Sequence, residues 1–127
     1  MTNDQLELAK RLVATKGWHW IDGMKDDKGR RVTTNGPFDV LAIDSCGNRM
    51  CVDGEVLPDI GDIVTAGALP SLVRAAWGRH DLSVVFWWQA DDWVLVRGAG
   101  EFVQVGSQYI AASTELGAWV RALECAK

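Results

Sequence analysis

The stretch that most constrains the fold covers residues 57 to 78, with the sequence LPDIGDIVTAGALPSLVRAAWG. Its apolar residues recur at spacings of three and four, which predicts an amphipathic helix with one face toward the core. That face comprises Ile63, Ala66, Leu69, Val73, Ala76 and Trp77. Asp62 is placed to cap the first turn, and Gly78 to end the helix in a left-handed conformation. Pro70 cannot donate a hydrogen bond to the carbonyl of Ala66, so we expect a kink or a loose first turn.

Predicted strands lie on both sides of this helix in the sequence. They are apolar or alternating segments bounded by turn residues: Arg31–Val32, Phe38–Asp44, Arg49–Asp53, Leu82–Gln89, Trp93–Arg97 and a segment around Glu101–Val105. The turns that separate neighbouring segments are of hairpin length, for example Ser45–Asn48 and Ala90–Asp92. Turns of that length predict antiparallel pairing.

Helices are predicted at both ends of the chain. Near the N-terminus, Asn3 or Asp4 is placed to cap a helix that ends at Gly17. Near the C-terminus, Ser113 or Thr114 caps a helix that extends to about Ala126. No linker divides the sequence, so we predict a single α+β domain over residues 1–127. Its sheets are mostly antiparallel, and its three helices occur in the order α-β-β(-β)-α-β-β-β-α.

Three segments carry a resemblance to a known family. They are GWHWIDGM at residues 17–24, the central LPD and LVRAAWG sequences, and STELGAWVRALECAK at residues 113–127. Together they resemble a family of short uncharacterised phage and prophage proteins with a Trp-x-Trp-x-x-Gly-Met opening and an LPD…LVRxAWG central helix. The chain departs from that pattern at Pro70, where the family usually has leucine, and at Gly117, where it often has glutamate. The resemblance implies a phage or prophage origin and transfers no catalytic residue.

Composition excludes several classes of function. The formal net charge of −4 is too negative for a general nucleic-acid binder, which needs clustered Lys and Arg. The apolar content of 48% is ordinary for a globular chain, no apolar run is long enough to cross a membrane, and the N-terminus has no signal-peptide pattern. Three cysteines fit a reducing compartment. We therefore expect a protein of the cytoplasm, of the host cell if phage-encoded, without a nucleic-acid or membrane partner.

Neither a metal site nor a cofactor is predicted. Cys46 and Cys51 span a hairpin turn, and only His19 and His80 are available as further strong ligands, far apart in sequence. The acidic segment Asp22–Gly29 lacks the ligand pattern of an EF-hand and is interpreted as a solvated turn. Gly98-Ala99-Gly100 lacks the third glycine and the following helix of a dinucleotide-binding loop.

No catalytic residue is predicted either. A hydrolase would need a nucleophile such as Cys51 or Ser83 within reach of His80 and Asp81. The sequence contains neither a GxSxG elbow nor a cysteine-protease signature, and His80-Asp81 falls at an expected turn. We therefore predict a protein that is not an enzyme.

Tryptophan is the main anomaly, with seven residues in 127. Along the strand Leu82–Gln89, alternation sends Val85 and Trp87 to one side and Phe86 to the other, so the sheet is apolar on both faces. Either helices cover both faces, or one face binds another copy or another protein. The predicted interface consists of Val85, Trp87, Trp93 and Leu95. The secondary candidates are Trp18, Trp20 and His19.

The leading hypothesis is a phage- or prophage-encoded binding protein that attaches to a host or phage protein and modulates it. A host defence protein is one of the targets considered. We expect the chain to bind such a partner, to form a homo-oligomer, or to do both. A dimer is the favoured oligomer. One alternative is a small-molecule-binding or catalytic domain with a pocket lined by Trp and His. The other is a component of virion assembly.

Overall fold

The computed structural model of the chain describes residues 1–34, 40–52 and 56–126. The chain forms two compact units. Unit 1 comprises residues 1–14 and 18–68, and unit 2 comprises residues 15–17 and 69–127. Within the described ranges, no helix is long and apolar enough to cross a membrane.

The described chain contains three helices and nine short strands. Their bounds are α1 Asn3–Val13, β1 Arg31–Thr34, β2 Val40–Ile43, β3 Arg49–Cys51, α2 Ile63–Trp77, β4 Leu82–Trp87, β5 Asp92–Arg97, β6 Glu101–Phe102, β7 Gln104–Val105, β8 Gln108–Tyr109, β9 Ala111–Ala112 and α3 Glu115–Glu124. All the strand pairs are antiparallel. The α+β class and the predicted order of helices and strands are confirmed, whereas the assignment of residues 1–127 to one domain stays a prediction.

Some predicted segments fall outside the described residues. They are the sequence Asn35-Gly36-Pro37, whose residue types predict a turn, the start of the strand predicted from Phe38, and the end of the strand predicted to reach Asp53. The part of that hairpin that is described agrees with the prediction, because β2 pairs with β3 across the turn at residues 44–48.

The first helix is capped by Thr2, not by Asn3 or Asp4 as predicted. The Thr2 hydroxyl accepts a hydrogen bond from the Gln5 N–H at 3.2 Å, and the Gln5 side chain accepts one from the Thr2 N–H at 3.1 Å. This reciprocal capping box satisfies two N–H groups at the helix start, so it is favoured over a single cap. Ala9 and Leu12, three positions apart, are the buried residues of this helix.

Unit 1 is built on the sheet β1–β2–β3 and the loops beside it. Its buried residues include Leu12, Met24, Val32, Ala42 and Ile60. An ion pair between Arg31 and Asp62 connects β1 to the start of α2. Arg31 donates to both oxygens of the Asp62 carboxylate, at 2.7 and 3.1 Å, and this bonding lowers the pKa of Asp62. Asp62 also accepts from the Thr65 N–H, which confirms its predicted role at the helix start.

The interpretation of Asp22–Gly29 as a solvated turn is wrong at Asp26. This carboxylate is fully buried and accepts from the Arg30 Nε at 2.7 Å and from the backbone N–H groups of Lys28 and Arg30 at 3.0 and 2.8 Å. Arg30 is itself buried. Burial of the pair is tolerated because the charges neutralise each other and hydrogen bonds satisfy the carboxylate.

The central helix is confirmed, but its buried face is shifted. Leu69 and Val73 are buried as predicted, and Leu72, which was left off the predicted face, is buried too. Ile63 is 86% exposed, which contradicts its predicted core position. The first turn of a helix has solvent on its open end, so periodicity alone overestimates burial there. Gly78 has a φ of +64°, the left-handed conformation predicted for the helix end.

Pro70 lies inside α2, and the helix continues through it. We predict that Pro70→Leu raises the free energy of unfolding by about 1–3 kcal/mol, because it restores the donor to the Ala66 carbonyl and adds an apolar side chain. Chemical denaturation measures the change. Gly67→Ala is the control for helix propensity alone, since a Cβ at Gly67 meets no atom within 4 Å. A destabilised Pro70→Leu variant would show instead that the packing around the helix requires proline.

Unit 2 is a sheet of β4, β5, β6 and β9 with α3 packed on it. The segment Glu101–Val105, predicted as one strand, is divided into β6 and β7, and β7 forms a hairpin with β8 that was not predicted. The last residues of α2 are tied to the rest of the unit by side-chain bonds. The Trp77 Nε1 donates to the Ala122 carbonyl at 2.9 Å, and the Arg74 Nε donates to the Leu82 carbonyl at 3.0 Å.

Candidate functional site

The register between β4 and β5 assigns their side chains to two faces, because residues directly opposite each other in an antiparallel pair share a face. The first face carries the pairs Ser83–Val96, Val85–Val94 and Trp87–Asp92. The second carries the pairs Leu82–Arg97, Val84–Leu95 and Phe86–Trp93. The ring contact between Phe86 and Trp93, with centroids 5.4 Å apart, agrees with this assignment.

The predicted interface of Val85, Trp87, Trp93 and Leu95 therefore does not form one surface. Val85 and Trp87 lie on the first face, and Trp93 and Leu95 lie on the second. Leu95 is fully buried. Helix α3 packs on this second face, since a Cβ placed on Gly117 would lie 3.1 Å from the Cβ of Ala112, which is paired with Trp93. Alternation along one strand gave the correct sides within β4, but the cross-strand register was needed to place β5.

Three aromatic rings meet at the margin of the first face. Trp87, Phe102 and Tyr109 form the aromatic triad, with ring centroids 4.8, 5.6 and 5.4 Å apart and all three pairs edge to face. This geometry is favourable because the positive edge of one ring meets the negative face of the next. Trp87 and Phe102 are half-buried, and Tyr109 is 41% exposed. The neighbouring Val85 is 40% exposed, so this margin of the first face is an apolar surface in contact with water.

The outer side of β4 carries backbone N–H and C=O groups without a strand partner in the described chain. In the described chain β4 pairs with β5 alone and lies at the edge of its sheet. The Leu95 N–H donates to Ile110 and its carbonyl accepts from Val103, so both backbone groups of Leu95 point away from β4. Its opposite residue, Val84, therefore directs its own N–H and C=O to the outer edge, and by alternation so does Phe86.

Two arginines contact or belong to the β4–β5 pair: Arg74, whose Nε donates to the Leu82 carbonyl, and Arg97 in β5. Arg97 is the one Lys or Arg between residues 80 and 114. Its guanidinium lies 2.6 Å from the Glu101 carboxylate and lowers the pKa of that group by hydrogen bonding. At the start of β4, Arg79 hydrogen-bonds to Asp81 and lowers the pKa of that carboxyl to about 2. The polar side chains that the register places beside the triad are Asp92, opposite Trp87, and Gln104, opposite Tyr109.

A cleft of about 400 Å³ lies elsewhere in unit 2. It is lined by Ala76, Trp77, Gln104, Val105, Gly106 and Cys125. This volume is in the range of small-molecule sites, but the lining contains no histidine and no charged side chain. The Trp77 Nε1 is already bonded to the Ala122 carbonyl. The cleft therefore differs from the predicted Trp- and His-lined pocket.

The secondary candidates lie in unit 1. The rings of Trp18 and Trp20 contact each other, with centroids 5.3 Å apart, and both side chains are half-buried. His19 is exposed. Cys46 and Cys51 are exposed as well, and among the residues that the structure describes no group of three His, Cys, Asp or Glu side chains could hold a metal ion.

Sequence reasoning missed Phe102 and Tyr109 as members of the candidate site. The available signal was Gly106-Ser107 between two short polar-apolar segments, which suits a two-residue hairpin turn, and Gly106 indeed has a φ of +65°. Comparison of the chain with protein-family models, curated proteins and solved structures finds no match. The resemblance to phage and prophage proteins accordingly stays a prediction.

Proposed function

We propose that the chain is a non-enzymatic binding protein that attaches to another protein through the aromatic triad. Following the resemblance described above, its partner is a host or phage protein in the bacterial cytoplasm, which it modulates by occupying a surface. The observation that carries the proposal is the aromatic triad, which is only half-covered at the margin of the first face.

The composition of this surface supports a protein partner. Protein interfaces are enriched in aromatic residues and depleted of charge at their centre, with a polar rim. The triad has aromatic rings at its centre, with Gln104 opposite Tyr109 and Asp92 opposite Trp87 as its polar neighbours. Leaving large apolar side chains in water costs about 25 cal/mol per Å² of exposed area, so a partner that covers them gains that free energy.

The same surface disfavours other partners. Phosphate groups of nucleic acids or anionic lipids require Lys or Arg, and the nearest cation in sequence, Arg97, is paired with Glu101. A small ligand would require a concave site, and the aromatic triad is not among the residues that line the cleft.

The experiment compares two serine variants of the β7–β8 hairpin as bait for a bacterial lysate. By register, Tyr109 shares a side with Gln104, and Val105 shares the opposite side with Gln108. The two residues are 41% and 45% exposed, so they are matched in exposure and differ in side. We predict that Tyr109→Ser lowers capture of the stoichiometric partner by at least about tenfold, while Val105→Ser captures it like the wild type. Circular dichroism must show that both variants are folded.

The opposite pattern would contradict the proposal. Val105 lines the cleft and Tyr109 does not. Loss of capture by Val105→Ser with normal capture by Tyr109→Ser would therefore place partner binding at the cleft and reject the aromatic triad. Equal capture by both variants would also reject the aromatic triad as the binding surface.

A further inference from the structure

The outer edge of β4 leads to a second inference, which is independent of the aromatic triad. We propose that two copies of the chain associate by antiparallel pairing of β4 with β4 about a twofold axis beside Val85. The two four-stranded sheets then become one continuous sheet. The partner in this contact is a second copy, whereas the partner of the aromatic triad is a different protein.

The unpaired backbone groups of β4 are self-complementary. Val84 and Phe86 each direct one donor and one acceptor to the outer edge, as derived above from the bonds of Leu95. Two identical strands that run in opposite directions can exchange these groups, because each strand presents what the other lacks. Pairing Val84 of one copy with Phe86 of the other, and the reverse, forms four hydrogen bonds.

The register follows from the position of Arg74. Its Nε donates to the Leu82 carbonyl at 3.0 Å, so the arginine side chain occupies the outer edge at the beginning of β4. A pairing centred on Val84 would place Leu82 opposite Phe86 of the second copy and would bring that strand against Arg74. A pairing centred on Val85 uses Val84 and Phe86 and avoids the arginine.

The side chains fit the same arrangement. In the register centred on Val85, Phe86 lies beside Val84 of the second copy, an aromatic and β-branched combination that stabilises antiparallel pairs. Val85 lies beside Val85 of the second copy. Val85 is 40% and Phe86 47% exposed, and Trp88, directly after the strand, is 75% exposed. Together they offer on the order of 300 Å² per copy, a small interface, so we expect a concentration-dependent dimer.

Beyond Leu82, where Arg74 occupies the edge, β4 lacks the usual protection against pairing. Monomeric proteins block exposed edge strands with Lys, Pro, bulges or inward charges. The segment from Leu82 to Trp88 contains no charged residue, no proline and no glycine. The ladder between β4 and β5 is continuous over six pairs, without a bulge. An edge with these properties pairs with the identical strand whenever the chain is concentrated.

Disulfide trapping tests the register. In a full-length chain with Cys46, Cys51 and Cys125 replaced by serine, we expect Val85→Cys to form an intermolecular disulfide under mild oxidation. The two Cα atoms would be opposite each other at about 4.5–5.5 Å, within disulfide range. Val84→Cys is the matched control, because its two copies would be offset by two residues and out of range. Efficient trapping by Val84→Cys and not by Val85→Cys would overturn the proposed register.

Sedimentation tests the dimer itself. The wild type should change from the mass of one chain to twice that mass within the micromolar to millimolar range. Val84→Pro should weaken association at least about tenfold and remain folded, since the N–H that it removes points to the outer edge and bonds to none of the described residues. A wild type that is monomeric up to about 1 mM, or a dimer unaffected by Val84→Pro, would overturn the proposal. Tyr109→Ser should leave the dimer intact, because Tyr109 lies outside the proposed β4–β4 contact. A monomeric wild type would therefore reject the dimer and not the proposed function. Normal capture by Tyr109→Ser would reject the proposed function and not the dimer.

Discussion

Asp26→Ala is expected to lower the free energy of unfolding by about 3–5 kcal/mol, the cost typical of removing one partner from a buried ion pair. The change leaves the buried Arg30 guanidinium without its carboxylate, whose oxygen lies 2.7 Å from the Arg30 Nε. It also removes the acceptor for two backbone N–H groups in the turn at residues 26–30. Equilibrium unfolding in urea, followed by circular dichroism, measures the difference from the wild type.

Two further variants identify the cause. Asp27→Ala removes a neighbouring carboxylate that is exposed, and it should change the free energy of unfolding by no more than about 0.5 kcal/mol. Asp26→Ala combined with Arg30→Met should recover part of the loss, because no unpaired charge then remains buried. If Asp26→Ala were as mild as Asp27→Ala, Asp26 would not be buried in solution.

Leu95→Ala is expected to lower the free energy of unfolding by about 2–5 kcal/mol, as other buried leucines do when a cavity is left. Leu95 is fully buried on the face of the sheet that α3 covers. Val85→Ala is the matched control on the other face, and it should cost about 1 kcal/mol or less because Val85 is 40% exposed. Thermal and chemical denaturation of the two variants measures both values.

The comparison tests the corrected assignment of faces. Sequence alternation grouped Leu95 with Val85 in one interface, which would make both substitutions mild for the fold. Similar small losses for the two variants would therefore contradict the register between β4 and β5. A large loss for Leu95→Ala alone supports it.

The elements with strong periodicity, or with clear turn and capping residues at their ends, could be predicted from the sequence. Helix α2 was located because apolar residues recur at helical spacing before Gly78, and Thr114 caps α3 as predicted, accepting from the Gly117 N–H at 2.9 Å. The hairpin of β4 and β5 was found because two apolar runs flank a short polar turn. In each case local chemistry and tertiary packing favour the same structure.

The errors arose where distant partners decide the outcome. The segment around Asp26 has the composition of a solvated turn. Burial of Asp26 becomes favourable only because the Arg30 side chain folds back over this turn and pairs with its carboxylate. The strands β6 to β9 are two residues each, too short to show alternation. Ile63 fits a helical stripe, but it lies in the first turn, where no neighbour covers it.

The candidate site could be predicted only in part. Val85 and Trp87 were correctly placed on one side of a strand, whereas the ring contacts of Trp87 come from Phe102 and Tyr109, at least 15 positions further along the chain. The free groups of Val84 and Phe86 likewise follow from the bonds of Leu95 to other segments. Such relations depend on register between strands, which one sequence does not specify.

Hydrogen exchange of the chain with and without its captured partner tests the proposed binding surface most directly. Mass spectrometry of proteolytic peptides reports which backbone amides are protected in the complex. The proposal predicts slower exchange in the peptides that contain Trp87, Phe102 and Tyr109, and unchanged exchange in β1, β2 and β3. Protection confined to residues 1–68, with no change around the aromatic triad, would contradict it.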